Sequence, residues 1–382
     1  MKVLNRTAAS GLCFAMLLSL GLTPALQGEE PGAPPFYPDK MELLSWIDSA
    51  GQTQPIRTAE AWQRRRAHIL AGMQQVMGPL PDAKSKSALE VQELQSEELP
   101  TVIRKKILFQ AGPGDTIPAY LLIPKNLTGP APAMLCLHGT SGSRGRTAGL
   151  GADYPRYTLE LAERGYVTIA PDYTLLGENQ TDPQSLGYAS GTMKGIWSHI
   201  RAIDLLESLP EVDPQRLGCI GVSLGGHNSL FVAAFDPRLK VVVTSSGFDS
   251  FLDYMNGDPT GWCQQRYMPR IETVYGKDPK KLPFDFPEVL AAIAPRALYI
   301  HAPQGDQNFK IASVKRCVTA AQNVYHLLDA DNEIVAVYPP GEHGFPLDAR
   351  LAAYRFIDRV LQTKTEDTTS EKESKESSVK KR

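Results

Sequence analysis

Leu217-Gly-Cys-Ile-Gly-Val-Ser223-Leu-Gly-Gly226 joins two runs of different habit. Ahead of it, Leu217–Ile220 is a short apolar run of strand type. Behind it, Ser229–Phe235 is an apolar run of helical type. At the junction stands Gly221-Val-Ser223-Leu-Gly225-Gly226, which has the form G-x-S-x-G. The bare string is common by chance. Between a strand and a helix it has a mechanical reason: the turn is so sharp that only glycine leaves room on either side, and the serine is held out at the carboxyl edge of a sheet. The N-terminus of the following helix favours negative charge that develops there. The competing reading of these residues is an ordinary strand-to-helix turn with Ser223 as a cap.

A serine hydroxyl is a weak nucleophile at neutral pH and needs a base. Seven histidines are available, and His343 has the fitting place. It lies in Pro340-Gly-Glu-His343-Gly-Phe345, after the last apolar run and before the last helical one. That loop opens on the same sheet edge as Ser223. His68, His199 and His326 fall inside helix patterns, His227 lies on the helix that follows Ser223, His301 ends a strand, and His138 precedes Gly139 in a loop. The base needs an acid that fixes its tautomer, and in this architecture the chain order is serine, acid, histidine. Asp306, after the apolar run Ala297–Ile300, fits that order. Asp249, in Ser246-Gly-Phe-Asp249, is the rival acid. The loop after the penultimate strand is the usual place, which favours Asp306. An oxyanion hole takes two backbone N–H donors. Leu224 supplies one, and the loop His138-Gly139-Thr140-Ser141-Gly142-Ser143 supplies the other, with Thr140 first and Gly139 second. The competing reading of that loop is a flexible Gly/Ser connection.

Outward from the elbow, short apolar runs alternate with helical stretches. Val102–Phe109 and Ile117–Ile123 form a hairpin around Gly112-Pro-Gly-Asp115. The runs Ala133–Leu137, Val167–Ala170, Leu217–Gly221, Val241–Thr244, Ala297–Ile300 and Ile334–Tyr338 carry almost no polar residues, as strands covered on both faces do. Helix candidates between them are Tyr157–Arg164, Thr192–Ser208, Leu224–Ala234, Ile311–Leu328 and Leu347–Gln362. The pattern predicts an α/β fold, a mostly parallel twisted sheet of about eight strands with helices on both faces. A helical pattern from Lys40 to about Gly78, with Trp62, Ile69, Met73 and Met77 in step, predicts an N-terminal helical extension that caps the main domain and stops at Gly78-Pro79. Phe248–Leu290 breaks the alternation and reads as an insertion above the sheet edge, near the site.

The ends and the bulk composition set limits. The 382 residues are 42% hydrophobic and 21% charged, with 40 basic and 42 acidic side chains and a net charge of -2. Nothing there points to nucleic acid or to an anionic membrane surface. Lys2, Arg6 and the apolar run Gly11–Leu22 read as an export signal. The run is shorter than the roughly 20 apolar residues that span a bilayer, so no membrane span is expected once the signal is removed. The expected division is a signal over 1–27, a Pro-rich linker and helical extension over 28–87, a catalytic domain over 88–362 and a disordered charged tail over 363–382. Five cysteines are present; Cys136 and Cys219 read as buried thiols, and export would permit a Cys263–Cys317 disulfide. No Cys-x-x-Cys or His-x-x-x-His spacing suggests a metal.

Together these residues resemble the α/β-hydrolase superfamily. Within it the chain resembles the dienelactone hydrolase and acetyl xylan esterase side, including exported bacterial esterases. The resemblance runs from about Trp62 to Leu361. It rests on the His138-Gly139 loop, Ala170-Pro-Asp172-Tyr173, Gly195-Ile-Trp197, Arg201-Ala-Ile-Asp204, Val212-Asp213-Pro214, Ser223, Asp306 and His343. It implies cofactor-free hydrolysis of carboxylic esters, often of acylated sugars or other small esters, through an acyl-enzyme. Departures exist: dienelactone hydrolases use cysteine where this chain has Ser223, many lipases have histidine where it has Val222, and no blade repeat like that of the oligopeptidase relatives is present. Trp197, Trp262 and Tyr267 are candidates to shape the substrate pocket, against the commoner role of core aromatics. The alternative from another class is a non-catalytic binding or scaffold protein on the same fold.

Overall fold

The computed structural model describes residues 34–151 and 153–362. The export signal, the first part of the Pro-rich stretch and the charged tail lie outside the described residues. In chain order the elements are β1 (Ser45–Ile47), β2 (Thr53–Pro55), α1 (Ala59–Met77), β3 (Gln92–Glu98), β4 (Val102–Gly112), β5 (Asp115–Pro124), β6 (Ala131–Leu137), α2 (Tyr157–Glu163), β7 (Val167–Pro171), α3 (Gly191–Ser208), β8 (Val212–Val222), α4 (Leu224–Phe235), β9 (Leu239–Ser245), α5 (Arg270–Thr273), α6 (Phe286–Ile293), β10 (Ala297–His301), α7 (Ile311–Leu327), β11 (Ile334–Val337) and α8 (Leu347–Leu361). β1 and β2 form a small hairpin. The other nine strands form one sheet in the order β11-β10-β9-β8-β6-β7-β5-β4-β3. From β7 to β11 neighbours run parallel, whereas β5 meets β7, and β4 and β3 follow, antiparallel.

The sheet has helices on both faces, and strand periodicity divides the core accordingly. Ala133, Leu135 and Leu137 of β6 join Leu217 and Cys219 of β8 in the cluster that α1, α3, α4, α6 and α7 cover. The intervening Met134 and Cys136, with Ile220 and Val222, join the cluster under α2 and α8. β7 lies on one side of β6 and β8 on the other. The loops that leave β6 and β8 therefore part at the carboxyl ends of the strands and open a crevice, the usual binding place in such sheets.

The expected sheet of about eight strands is present, with nine among the described residues; the strand not read from the sequence is β3, which pairs with β4 although all its residues are exposed. A strand with no buried face carries no alternation to read; backbone pairing alone defines it. The helical pattern from Lys40 begins only at Ala59, where Thr58 Oγ1 accepts from Ala61 N at 3.2 Å; the preceding residues hold the β1–β2 hairpin. And α1 is part of the core rather than a cap over it: Trp62, Ile69, Met73, Val76 and Met77 are buried, and Arg65 forms a fully buried ion pair with Glu288 of α6 at 2.6 Å. Cys136, Cys219, Cys263 and Cys317 are all free thiols, so no disulfide joins Cys263 to Cys317.

Candidate active site

The glycines at the end of β8 make its elbow possible. A Cβ on Gly221 would lie 2.2 Å from Gly225 O, and one on Gly225 would lie 1.8 Å from Leu137 O. Between them Ser223 takes φ 56° and ψ -120°, a conformation that costs a non-glycine residue about 1–3 kcal/mol. Ser223 N donates to Ser245 O of β9 at 2.9 Å, and His227 N donates to Ser223 O at 3.2 Å. The strained residue is thus fastened to a strand on one side and to its helix on the other.

His343 reaches this serine from the loop after β11. Its Nε2 lies 2.9 Å from Ser223 Oγ, and its Nδ1 lies 3.0 Å from each carboxylate oxygen of Asp306. With Nδ1–H directed at Asp306, Nε2 is left to accept the serine proton. The Asp306 side chain is 3% exposed. Burial alone would raise its pKa, but the His343 ring and the amides of Asn308 and Phe309 outweigh it and hold the carboxyl below its ordinary value. The acid and base loops are stitched together: Gly305 N donates to Gly341 O at 2.8 Å and Gln304 N to Pro339 O at 2.9 Å. Ser245 Oγ donates to Gly344 O at 2.8 Å and so ties the base loop to β9. Asp249, the rival acid, is not in this cluster. It accepts from Lys310 N at 3.0 Å, close to Asp253 and Asp285, and burial pushes its carboxyl up to about 7.

The loop after β6 is drawn against the elbow. A Cβ on Gly139 would stand 3.1 Å from Val222 O and 3.5 Å from Ser223 Cβ. Gly142 N donates to Gly139 O at 2.8 Å, which closes a turn over Thr140 and Ser141. His138, buried, braces that turn: Nδ1 meets Gly139 O at 2.8 Å and Nε2 accepts from Tyr173 N at 2.9 Å. The Gly139 amide is taken by Tyr154 Oη at 2.8 Å. Thr140 and Leu224 line the cavity beside Ser223.

A family profile described as "Glucuronyl esterase, fungi" matches residues 112–329, more than half of the chain. The chain belongs to the glucuronyl esterase family. It is 32% identical to YtaP of Bacillus subtilis (strain 168) over 181 residues that make up 44% of this chain and 60% of that one. It is 27% identical to 4-O-methyl-glucuronoyl methylesterase 1 of Wolfiporia cocos (strain MD-104) over 220 residues, 53% of this chain and 51% of that one. The chain thus spans between half and three-fifths of the length of these curated relatives. Among solved structures it resembles a glucuronoyl esterase from Solibacter usitatus, with a TM-score of 0.64 at 20% identity over 85% of this chain and 98% of that one. A carbohydrate esterase family 15 glucuronoyl esterase from Caldicellulosiruptor kristjansonii gives 0.61 at 18% over 89% and 93%. At these identities the structural likeness is one of fold.

In this glucuronyl esterase family member, Ser223 stands between two cavities. One, of about 190 Å³, is lined by Thr140, Leu224, His227, Trp262, Tyr267 and Phe309 among others, with no Lys or Arg in its wall among the described residues. The other, of about 460 Å³, lies on the His343 side with Tyr154, Pro155 and Phe345. The insertion expected over 248–290 supplies Trp262 and Tyr267 to the smaller cavity. Trp197 is a correction: it is 3% exposed, its Nε1 donates to Ala111 O at 2.7 Å, and it packs in the core, away from both cavities. The helix α3 that carries it faces the sheet, so its indole had nowhere else to go.

Sequence reasoning places His227 only on the helix after Ser223; it follows the serine by one helical turn and so lies on the same side of α4. Burial pushes its imidazole down to about 3, which keeps the ring neutral, and it hydrogen-bonds to the Gly247 backbone. His227 Nδ1 and Trp262 Nε1 have no partner among the described residues. The two rings meet edge to face with centroids 4.7 Å apart.

Proposed function

We propose that this protein hydrolyses carboxylic esters through an acyl-enzyme on Ser223, and that its substrates are carbohydrate esters. The observation that carries the reading is the Ser223–His343–Asp306 chain of hydrogen bonds at a strained elbow. Ser223 Oγ attacks the ester carbonyl while His343 Nε2 takes its proton; His343 returns the proton to the departing alcohol, and water then repeats the sequence to release the acid. Asp306 orients His343 and stabilises the imidazolium. The amides of Leu224 and Thr140 hold the negative oxygen. Because His343 must protonate the leaving oxygen, the alcohol belongs in the larger cavity that His343 lines, and the acyl group in the smaller one. A chamber of about 190 Å³ suits a compact acyl group, such as a sugar acid, better than a long alkyl chain. The family, and the methylesterase named among the relatives, support the same class. The basic, apolar N-terminus supports action outside the cytoplasm.

The test is a hydrolysis screen on methyl glucuronate, acetylated xylan, p-nitrophenyl acetate and p-nitrophenyl palmitate. Methyl glucuronate is expected to turn over, palmitate is not, and Ser223→Ala should lower kcat on the order of 10⁴-fold or more. Cleavage of acetylated xylan with no cleavage of methyl glucuronate would place the sugar on the alcohol side. Failure of the wild-type protein to react with a fluorophosphonate would remove the serine-nucleophile reading altogether.

A further inference from the structure

Tyr154 lies just ahead of α2, far from the elbow in sequence, yet its phenol is built into the turn that faces Ser223. Its Oη accepts the Gly139 amide at 2.8 Å. Its ring occupies the space that a side chain at 142 would need: a Cβ on Gly142 would come within 2.3 Å of Tyr154 Cζ. Gly142 in turn closes the 139–142 turn through its bond to Gly139 O. The Arg146 guanidinium lies 5.3 Å from the same ring and donates to Ser141 O at 2.8 Å. So the turn is gripped at its first residue by the phenol oxygen, at its last by the ring face, and in its middle by an arginine stacked on that ring.

We infer that Tyr154 is a positioning residue for the oxyanion hole: by occupying the Gly139 amide and seating Gly142, it fixes the turn so that the Thr140 amide is the one presented to the tetrahedral intermediate. This rests on the proposal that Ser223 is the nucleophile. The physical argument is that an oxyanion donor is effective only when it is held in place before charge develops. A four-residue turn rich in glycine does not hold itself. The Gly139 N–H, satisfied by the phenol, is also removed as a competing donor, so the hole has one defined geometry. Burial pushes the Tyr154 hydroxyl up to about 12, so it stays protonated and keeps the same hydrogen-bonding arrangement across the working range of pH.

Tyr154→Phe keeps the ring and deletes only the oxygen that receives Gly139 N. The variant and wild type are compared in three ways: kcat and KM on p-nitrophenyl acetate, inhibition by a boronic acid that forms a tetrahedral adduct on serine, and the rate of fluorophosphonate labelling. If Tyr154 positions the hole, kcat falls about 10- to 100-fold with KM within about twofold, and boronate affinity and labelling rate fall by a similar factor. Gly142→Ala, which drives the ring off the turn, should reproduce the pattern. An unchanged kcat and labelling rate would overturn the inference. So would a raised KM at constant kcat, the mark of a residue that merely lines the alcohol cleft. A wild type that labels and hydrolyses while Tyr154→Phe matches it sinks this inference alone; a wild type that does neither sinks the proposed function and this inference with it.

Discussion

Two aspartates separate the roles of a carboxylate in this molecule. Asp306 has hydrogen-bond donors, the His343 ring and the Asn308 and Phe309 amides, that favour its ionised form; Asp249 has burial and neighbouring Asp253 and Asp285, which disfavour it. Asp306→Asn should therefore lower kcat on the order of 10³- to 10⁴-fold, because the amide no longer stabilises the imidazolium or fixes its tautomer. Asp249→Asn should leave kcat near wild type and change the pH dependence of stability instead. The folded-state pKa of Asp249, about 7, lies above its unfolded value of about 3.9. The folded protein binds the extra proton between those limits, so its stability falls as pH rises through that window. An asparagine has no such slope. The gain in unfolding temperature of Asp249→Asn over wild type should grow from pH 5 to pH 8; a pH-independent difference would show that the Asp249 carboxyl ionises normally.

At the level of elements, legibility followed the source of each element's stability. β6, β8, β9 and β10 were readable because both faces are buried and the apolar runs are nearly unbroken. The elbow was readable because its glycines answer to backbone contacts that no side chain could relieve. β3 was not, since none of its residues is buried. α6 did carry a signal: Asp285-Phe-Pro-Glu288 forms a capping box with proline in the first turn. Its eight residues sit at the end of an irregular stretch, where the periodicity is too short to stand out. The site followed the same rule. The Ser223, His343 and Asp306 positions answer to chain order, whereas His227, Tyr154 and the buried fate of Trp197 depend on which side chains share a cavity. Gly225→Ala tests the elbow directly. Its Cβ would meet the Leu137 carbonyl, a backbone atom that cannot rotate away, so stability should fall by about 3 kcal/mol or more and fluorophosphonate labelling should be lost with it. Retention of both, measured by urea unfolding and labelling, would mean that β6 and β8 are less closely coupled at this point than the structure has them.

At the scale of the whole molecule, cohesion among the described residues comes from the two-sided sheet rather than from covalent cross-links. Cys136, Cys219 and Cys317 are buried and free, and Cys263 is also free. Unfolding temperature should accordingly be the same with and without dithiothreitol; a drop under reducing conditions would reveal a bridge that the fold does not require. The helices on either face protect the sheet above and below, but its two margins differ. At one margin stands β3, Gln92-Glu-Leu-Gln-Ser-Glu-Glu98, all of its residues exposed, and paired on one side only among the described residues. Glutamates along an open margin discourage another strand from adding to it. Replacing Glu93, Glu97 and Glu98 together by uncharged, strand-favouring residues would leave this margin as a template on which a second molecule extends the sheet.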